Sequence, residues 1–395
     1  MNEKKTPAIR FQGFTDGWEQ SKLGDIFKEY SEKNHEELPA LTIVQGKGTI
    51  TREESSRDLQ YDKSSLPNYK MVKKDDFIIH LRSFEGGLEK ASSDGIISPA
   101  YHTLHGDNTD SRFYYPFFRS KKFIDYLLKP HVYGIRDGKS IDIEGMKTID
   151  IPVPILAEQQ KIGSYLEQID NFISLHRCKL TKLQLLKKAM LTKMFPKDGA
   201  CVPEIRFQGF HDDWEQRKLG NVIEDYVEKT TVEDQYPVLT SSQQKGIVLQ
   251  DEYFSGERVT QNGNIGYFVI PRGYFAYRSR SDNDVFAFNR NDAIDMGIIS
   301  YFYPVFKPMG VDSEFLLRRL NYGLEEQIKI NSEGTGQHVL SLKKFKNIVG
   351  LFPSYKEQKL IGRYFKELDR LIILQQCKIS KLQQIKQAML SKLFV

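Results

Sequence analysis

His102 and His105 stand three residues apart, a spacing that brings two imidazoles onto one metal only if the backbone there is helical. They follow the strand-like run Ile96-Ile97-Ser98, so no metal role is expected for them. The glycine cluster Gln45-Gly46-Lys47-Gly48 lacks the third glycine and the following helix of a dinucleotide fingerprint, and reads as a turn. No GxxxxGK[ST] phosphate cradle, HExxH, GxSxG or CxxC is present, and Cys178, Cys201 and Cys377 have no zinc-ligand spacing. The acidic pairs Asp75-Asp76 and Asp212-Asp213 read as turn or cap residues, with no spacing that commits carboxylates to a catalytic metal. The chain is expected to catalyse nothing by itself. What recurs instead is a set of hydrogen-bonding side chains in loops: Gln45 and Gln243, Lys47 and Lys245, and Arg82 and Arg280 each match at an offset of 198.

That offset belongs to a larger repeat. Residues 7–26, PAIRFQGFTDGWEQSKLGDI, match residues 203–222, PEIRFQGFHDDWEQRKLGNV, at 14 of 20 positions. Residues 157–195 match residues 356–394 at an offset of 199. Between these ends the halves diverge, keeping echoes such as DGIISPAYHTL (94–104) against MGIISYFYPVF (296–306). A period near 195 residues is far too long for a solenoid, whose unit is about 20–50 residues. The pattern is one domain stated twice.

The end of each half has helical periodicity. Ile162, Leu166, Ile169, Ile173, Leu180 and Leu183 step by fours and threes, as does Ile361, Phe365, Leu368, Ile372, Ile379 and Leu382, which is the seam of a coiled coil. His176 and Gln375 take the same seam position in the two copies; a polar residue there either fixes register or sits at a solvated edge. Each helix of about 38 residues would be about 55 Å long. PKDGACVP (196–203) stops the first helix and makes a linker.

The middles, 20–150 and 216–348, mix short strand-like runs (Asp76–Ile79, Tyr274–Tyr277) with Gly- and Asn-rich loops. The expected fold is α+β, a mixed α/β class: two globular domains joined by two long antiparallel coiled-coil helices, with an internal pseudo-twofold repeat. The expected boundaries are 1–155, a central helix over 156–196, a linker over 197–202, a second domain over 203–354 and a distal helix over 355–395. At 39% apolar and 28% charged the composition is that of a soluble globular protein. Nothing near Met1 resembles a signal peptide and no apolar run approaches a membrane span, so a cytoplasmic protein is expected.

The repeated starts FQGFTDGWEQSKLGD and the helix opening IPVPILAEQQKIG resemble the specificity (S) subunit of type I restriction-modification enzymes. The resemblance covers essentially the whole chain, and GIISPAY (95–101) also resembles a stretch within many of the family's recognition domains. The second copy departs from it as GIISYFY (297–303), and its helix opening keeps one proline and the Glu-Gln. The resemblance implies a DNA-reading subunit without an active site or bound cofactor, carrying two target-recognition domains and spacer helices. Its partners would be double-stranded DNA, two adenine-N6 methyltransferase (modification) subunits and two restriction subunits, which would use S-adenosylmethionine, ATP and Mg. Each domain would read one part of an interrupted target, and the coiled coil would set the gap.

Bidentate base reading needs Arg or Lys for guanine and Asn or Gln for adenine, presented on loops. In the first domain the richest loops hold Gln45, Lys47 and Arg52; Arg82 and Ser83; and Arg136 and Lys139. In the second they hold Gln243, Gln244 and Lys245; Arg278, Arg280 and Asn283; and Gln337 and His338. Matched residues suit common phosphate clamps, and unmatched ones such as Asn283 suit sequence choice. Trp18 and Trp214 are assigned to local cores.

Residues 158–195 carry seven Lys/Arg against three Asp/Glu, and residues 357–394 eight against three. These segments therefore hold +9 of a chain that totals +5, leaving −4 for the rest. The basic helices read as solvated faces, as phosphate contacts or as docking sites for acidic helices. A coiled-coil scaffold joining two non-DNA partners explains the repeat equally, but not the divergent middles. A self-sufficient methyltransferase would need an [ND]PP[YF] site, which is absent.

Overall fold

The computed structural model describes residues 6–55, 63–80, 87–134, 140–197, 199–243, 245–254, 263–282, 285–334 and 337–394. The chain forms two compact units, Met1–Arg177 with Cys377–Val395, and Cys178–Gln376. Both long helices are divided between them. Helix Leu156–Lys193 starts in the first unit and ends in the second, and helix Tyr355–Leu393 does the reverse.

In the first unit, strand Glu19–Lys22 pairs antiparallel with Asp150–Val153, so the strand that opens the head lies beside the one that leads into the long helix. A four-stranded antiparallel sheet runs Phe27–Tyr30, Tyr101–Gly106, Phe77–His80, Glu89–Lys90. Two further pairs, Leu41–Val44 with Gly48–Thr51 and Lys70–Val72 with Gly95–Ile97, complete the β structure around it with the short hairpin Val132–Tyr133/Ser140–Ile141. Strand Phe77–His80 is buried at three successive positions, which is why its sequence is a continuous apolar run and does not alternate.

The second unit repeats this order. Glu215–Lys218 pairs with Val349–Phe352, and the four-stranded sheet runs Ile223–Tyr226, Val305–Pro308, Phe275–Tyr277, Phe288–Arg290. Hairpin Leu239–Ser242/Gly246–Leu249 and pair Phe268–Pro271/Met296–Ile299 stand where their counterparts stand in the first unit. The fold is thus α+β, two globular heads with long helices, repeated within one chain.

Each core is aromatic. In the first unit Phe27 packs edge-on against Phe77, Tyr114 and Phe118, with ring centroids 5.0–5.4 Å apart. Ile162 and Leu166 from one long helix, and Leu393 and Phe394 from the end of the other, close that core. In the second unit Phe275, Phe288, Phe306 and Phe345 stack, and Ile361 and Phe365 close the core with Leu191, Met194 and Phe195. Burying one such ring contributes about 1.5–3 kcal/mol. Trp18 and Trp214 are each 3% exposed and belong to these cores.

Within each unit the two helix segments run antiparallel. Leu166 packs near Leu390 and Leu393 while Lys386 Nζ lies 2.6 Å from Asp170. The second unit repeats the ion pair with partners exchanged, Lys187 Nζ to Asp369 at 2.6 Å. Of the seam positions, Ile162, Leu166, Ile169, Ile173, Ile361, Phe365, Leu368 and Ile379 are buried. Leu180, Leu183, Ile372 and Leu382 are half-buried, as are His176 and Gln375. Among the described residues no helix is long and apolar enough to cross a membrane.

Candidate functional site

The repeated Glu-Gln at the start of each long helix fixes how the head meets that helix. Glu158, fully buried, accepts two hydrogen bonds from the Arg10 guanidinium at 2.7 Å and one from Trp18 Nε1 at 3.0 Å. Arg10 is held above its usual pKa, chiefly by that hydrogen bond. Gln159 accepts from the Asp110 backbone N–H at 3.0 Å and donates to the Pro154 carbonyl at 2.8 Å. Asp110 is in turn the N-cap of helix Ser111–Phe118. The second unit has the same device: Glu357 takes the Arg206 guanidinium at 2.8 and 2.9 Å, and Gln358 bridges Asp312 N–H and the Pro353 carbonyl. One bond is missing, because Trp214 Nε1 is buried without a hydrogen-bond partner.

Next along each helix stands a glycine that sequence reasoning passed over. A Cβ on Gly163 would lie 2.9 Å from Arg112 Cβ, and one on Gly362 would lie 2.5 Å from Asp312 Oδ1. A mid-helix glycine costs helix stability, so its presence twice at the same place marks the close crossing of two helices. The signal was present in IGSY and IGRY, but helical periodicity alone gives a glycine no reason.

On this frame the loop residues take their places. Gln45 and Lys47 are exposed on the tip of hairpin Leu41–Val44/Gly48–Thr51, and Gln243 and Lys245 on the tip of Leu239–Ser242/Gly246–Leu249. The tips are held differently. In the first unit Gly46 N–H and Gly48 N–H donate to the buried Glu89 carboxylate at 2.8 and 3.3 Å. The same carboxylate accepts from Tyr115 Oη at 2.8 Å and from the Arg119 guanidinium. Burial, then the charge of Glu89, pushes the Tyr115 hydroxyl above its ordinary pKa. In the second unit Asn289 takes the place of Glu89 in the sheet, Ala276 opposing it as Ile78 opposes Glu89. Its amide donates to Ser241 Oγ at 2.7 Å and to the Ser242 carbonyl at 3.0 Å. Lys245 Nζ sits 5.5 Å over the Tyr253 ring.

The structure gathers the other second-unit loops into one surface. Strand Arg280–Ser281 pairs with His338–Val339, and Leu340 N–H donates to the Ser279 carbonyl. Gln337 Nε2 donates to Asp282 Oδ1 at 3.0 Å. Arg278 and Arg280 are exposed, and the Arg280 guanidinium lies 4.9 Å over the Phe302 ring. Arg52 stands apart from the first hairpin tip: it is half-buried with its guanidinium 5.2 Å over Tyr69. Arg82, Ser83, Arg136, Lys139, Gln244 and Asn283 lie outside the described residues.

His102 and His105 lie on strand Tyr101–Gly106, where a three-residue step puts them on opposite faces. His102 pairs with Glu29 and His105 with Asp76, and no group of three or more metal-ligating side chains gathers among the described residues. Asp76 does more than a turn residue would. It is 2% exposed and accepts from Tyr30 Oη and the Lys73 N–H. A cavity of about 250 Å³ in the first unit is lined by Trp18, Phe117, Lys122 and Phe394, and no described loop candidate is among its lining residues. The chemistry on offer is hydrogen-bond donation by Gln, Lys and Arg from braced loops, which suits base edges and phosphates.

The chain matches the family described as type I restriction modification DNA specificity domain over residues 15–185 and again over residues 211–384. It is 24% identical to the type I restriction enzyme MjaVIII specificity subunit of Methanocaldococcus jannaschii over 419 aligned positions, covering 95% of this chain and 92% of that one. It is 23% identical to the putative type I restriction enzyme MjaX specificity subunit of the same organism, over 70% of this chain and 64% of that relative's length. The fold is similar to the crystal structure of the type I restriction-modification S subunit from M. genitalium, with TM-score 0.58, 17% identity and 99% of each chain covered.

Proposed function

Because the chain belongs to the family of type I restriction-modification DNA specificity proteins, we propose that it is the non-catalytic reading subunit of such a complex. In this reading each unit recognises one half of a bipartite, gapped DNA target, and the paired helices serve as the spacer between halves. Partner methyltransferase subunits, with S-adenosylmethionine, would modify adenine N6. Partner restriction subunits would cleave with ATP and Mg. The place of action would be the cytoplasm.

One observation supports the reading above the rest. The buried junctions of the two units agree residue for residue, while the exposed loops that carry Gln, Lys and Arg differ. A common frame suits two identical partners, and different loops suit two different half-sites. Lys47 and Lys245 at matched hairpin tips suit phosphate contact, which supplies affinity; Arg280 and the unmatched neighbours suit base contact, which supplies choice.

The test is to map N6-methyladenine genome-wide in cells carrying the partner methyltransferase, with and without this chain. A two-part gapped motif that depends on the chain is expected. An active methyltransferase that gains no motif from the chain would favour the scaffold reading instead.

A further inference from the structure

After the strand Gly95–Ile97 in the first unit and Met296–Ile299 in the second, the backbone makes the same turn. Tyr101 N–H donates to the Ser98 carbonyl at 3.1 Å, and Tyr303 N–H to the Ser300 carbonyl at 2.9 Å. The two residues inside the turn are exposed in both units, but they are Pro99-Ala100 in one and Tyr301-Phe302 in the other. Tyr301 is 59% exposed and Phe302 37%. Identical turns do not require opposite side chains. Tyr301 meets the core residue Tyr267 edge-on with centroids 6.3 Å apart, yet both rings of the pair keep an exposed face, and adjacent exposed aromatic rings mark a contact surface.

The neighbours of this pair say what it contacts. Ser279 N–H and Ser279 Oγ both donate to the Phe302 carbonyl, at 3.0 and 2.9 Å, tying the aromatic turn to the Arg278–Arg280 loop. The Arg280 guanidinium lies over Phe302, and the Tyr301 and Phe302 ring centroids are 4.3 Å apart. Two exposed arginines beside two exposed rings suit a nucleic acid. A ring already engaged by a guanidinium and by its neighbour is poorly placed to slide between base pairs, which leaves surface contact as its role. In the major groove the apolar group a base offers is the thymine C5-methyl, and the group an arginine fork reads best is guanine O6/N7.

We propose that Tyr301 and Phe302 form an apolar reading contact against a thymine methyl in the half-site of the second unit, beside the base contacted by Arg280. The inference rests on the proposal that this chain reads DNA. The first unit, with Pro99-Ala100 at the same turn, makes no such contact.

The test uses the full chain with its modification subunit and a duplex carrying the mapped motif. The half-site of the second unit is the one whose discrimination changes in Arg280→Ala. Within it, thymines are replaced singly by deoxyuridine, which removes only the methyl group. One replacement is expected to weaken binding about fourfold, the value of one buried apolar carbon. Tyr301→Ala/Phe302→Ala should weaken binding comparably and lose all sensitivity to that replacement, measured at a temperature where the variant is folded by circular dichroism. Tyr301→Ser alone, at the more exposed position, repeats the test while leaving Phe302 and the Arg280 guanidinium over it in place. A half-site without thymine, or deoxyuridine effects equal in wild type and variant, overturns the proposal. If Arg280→Ala changes the motif and the aromatic variants do not, this contact fails while DNA reading stands. If neither changes it, this surface is not the DNA face and the contact fails, while failure of the reading role would show earlier, as the absence of a chain-dependent motif.

Discussion

Glu89 in the first unit and Asn289 in the second occupy one place in one sheet and brace one hairpin by different means. Glu89 is a buried carboxylate that collects two turn N–H groups, a tyrosine and an arginine. Asn289 is a neutral amide that donates to the strand just before the turn. The same hairpin therefore has its tip fixed by charge in one unit and its stem fixed by an amide in the other. At the junction with the long helix, by contrast, both units use the same arginine, glutamate and glutamine. Losing any member of that network would leave a buried charge or polar group unpaired, so the arginine, glutamate and glutamine tolerate little drift even where the Trp214 bond is missing. Near the loop tips, solvent can replace a lost partner, and the two copies have room to differ.

The comparison breaks most visibly at the junction. Glu158→Ala strands a mostly buried Arg10 and the Trp18 N–H, and should cost about 3–5 kcal/mol in urea denaturation of the full chain. Glu357→Ala should cost less, because Trp214 Nε1 has no bond to lose. Equal losses would show that the tryptophan bond contributes nothing. Next in size, Gly163→Ala and Gly362→Ala push a methyl group into the crossing helix and should each cost about 1–3 kcal/mol of stability. The cost should be greater at Gly362, where the approach is closer.

A smaller effect should fall on reading alone. Glu89→Gln leaves the sheet intact but cannot accept all four donors, so discrimination at one half-site should fall about tenfold, the value of one charge-assisted hydrogen bond. Asn289→Ala should act on the other half-site only. Cross-talk between the halves in a binding series would mean that the hairpins are not independent readers.

The smallest concerns acid. Glu314 in the second unit stands where the first unit has Arg112. Burial would raise its pKa, but Arg290 and then Lys366 hold it below the usual carboxylate value of 4.5. Its folded pKa is depressed, so its stabilising contribution is present above that value and lost as pH falls through the folded pKa. Glu314→Gln should flatten the loss of stability below about pH 4.5 by less than about 1 kcal/mol, measured by denaturation as a function of pH. A steeper acid limb in the variant would contradict the assignment.

Much of this was legible in the sequence. The helices declare themselves through steps of three and four, a period set by the local geometry of the backbone and needing no partner to be read. The repeat is visible because matched residues build matched buried junctions. The aromatic cores show as dense Phe and Tyr, and the two tryptophans fall where their flanking motif suggests. The surroundings of Arg52 were less legible: its guanidinium lies over Tyr69, and no spacing in the sequence connects positions 52 and 69.

What the sequence by itself determined is the frame: two copies of one α+β unit, two long helices and a seam. Only the tertiary structure decided which loops share a surface. Arg280, Phe302 and Val339 lie far apart in the chain and meet through a strand pair and a guanidinium over a ring. It also decided that a buried glutamate holds one hairpin turn and an asparagine steadies the other hairpin. The physical reason is the range of the forces involved. Helical and strand periods are written into neighbouring residues, whereas a bond from Glu89 to Gly46 exists only once the whole sheet has closed.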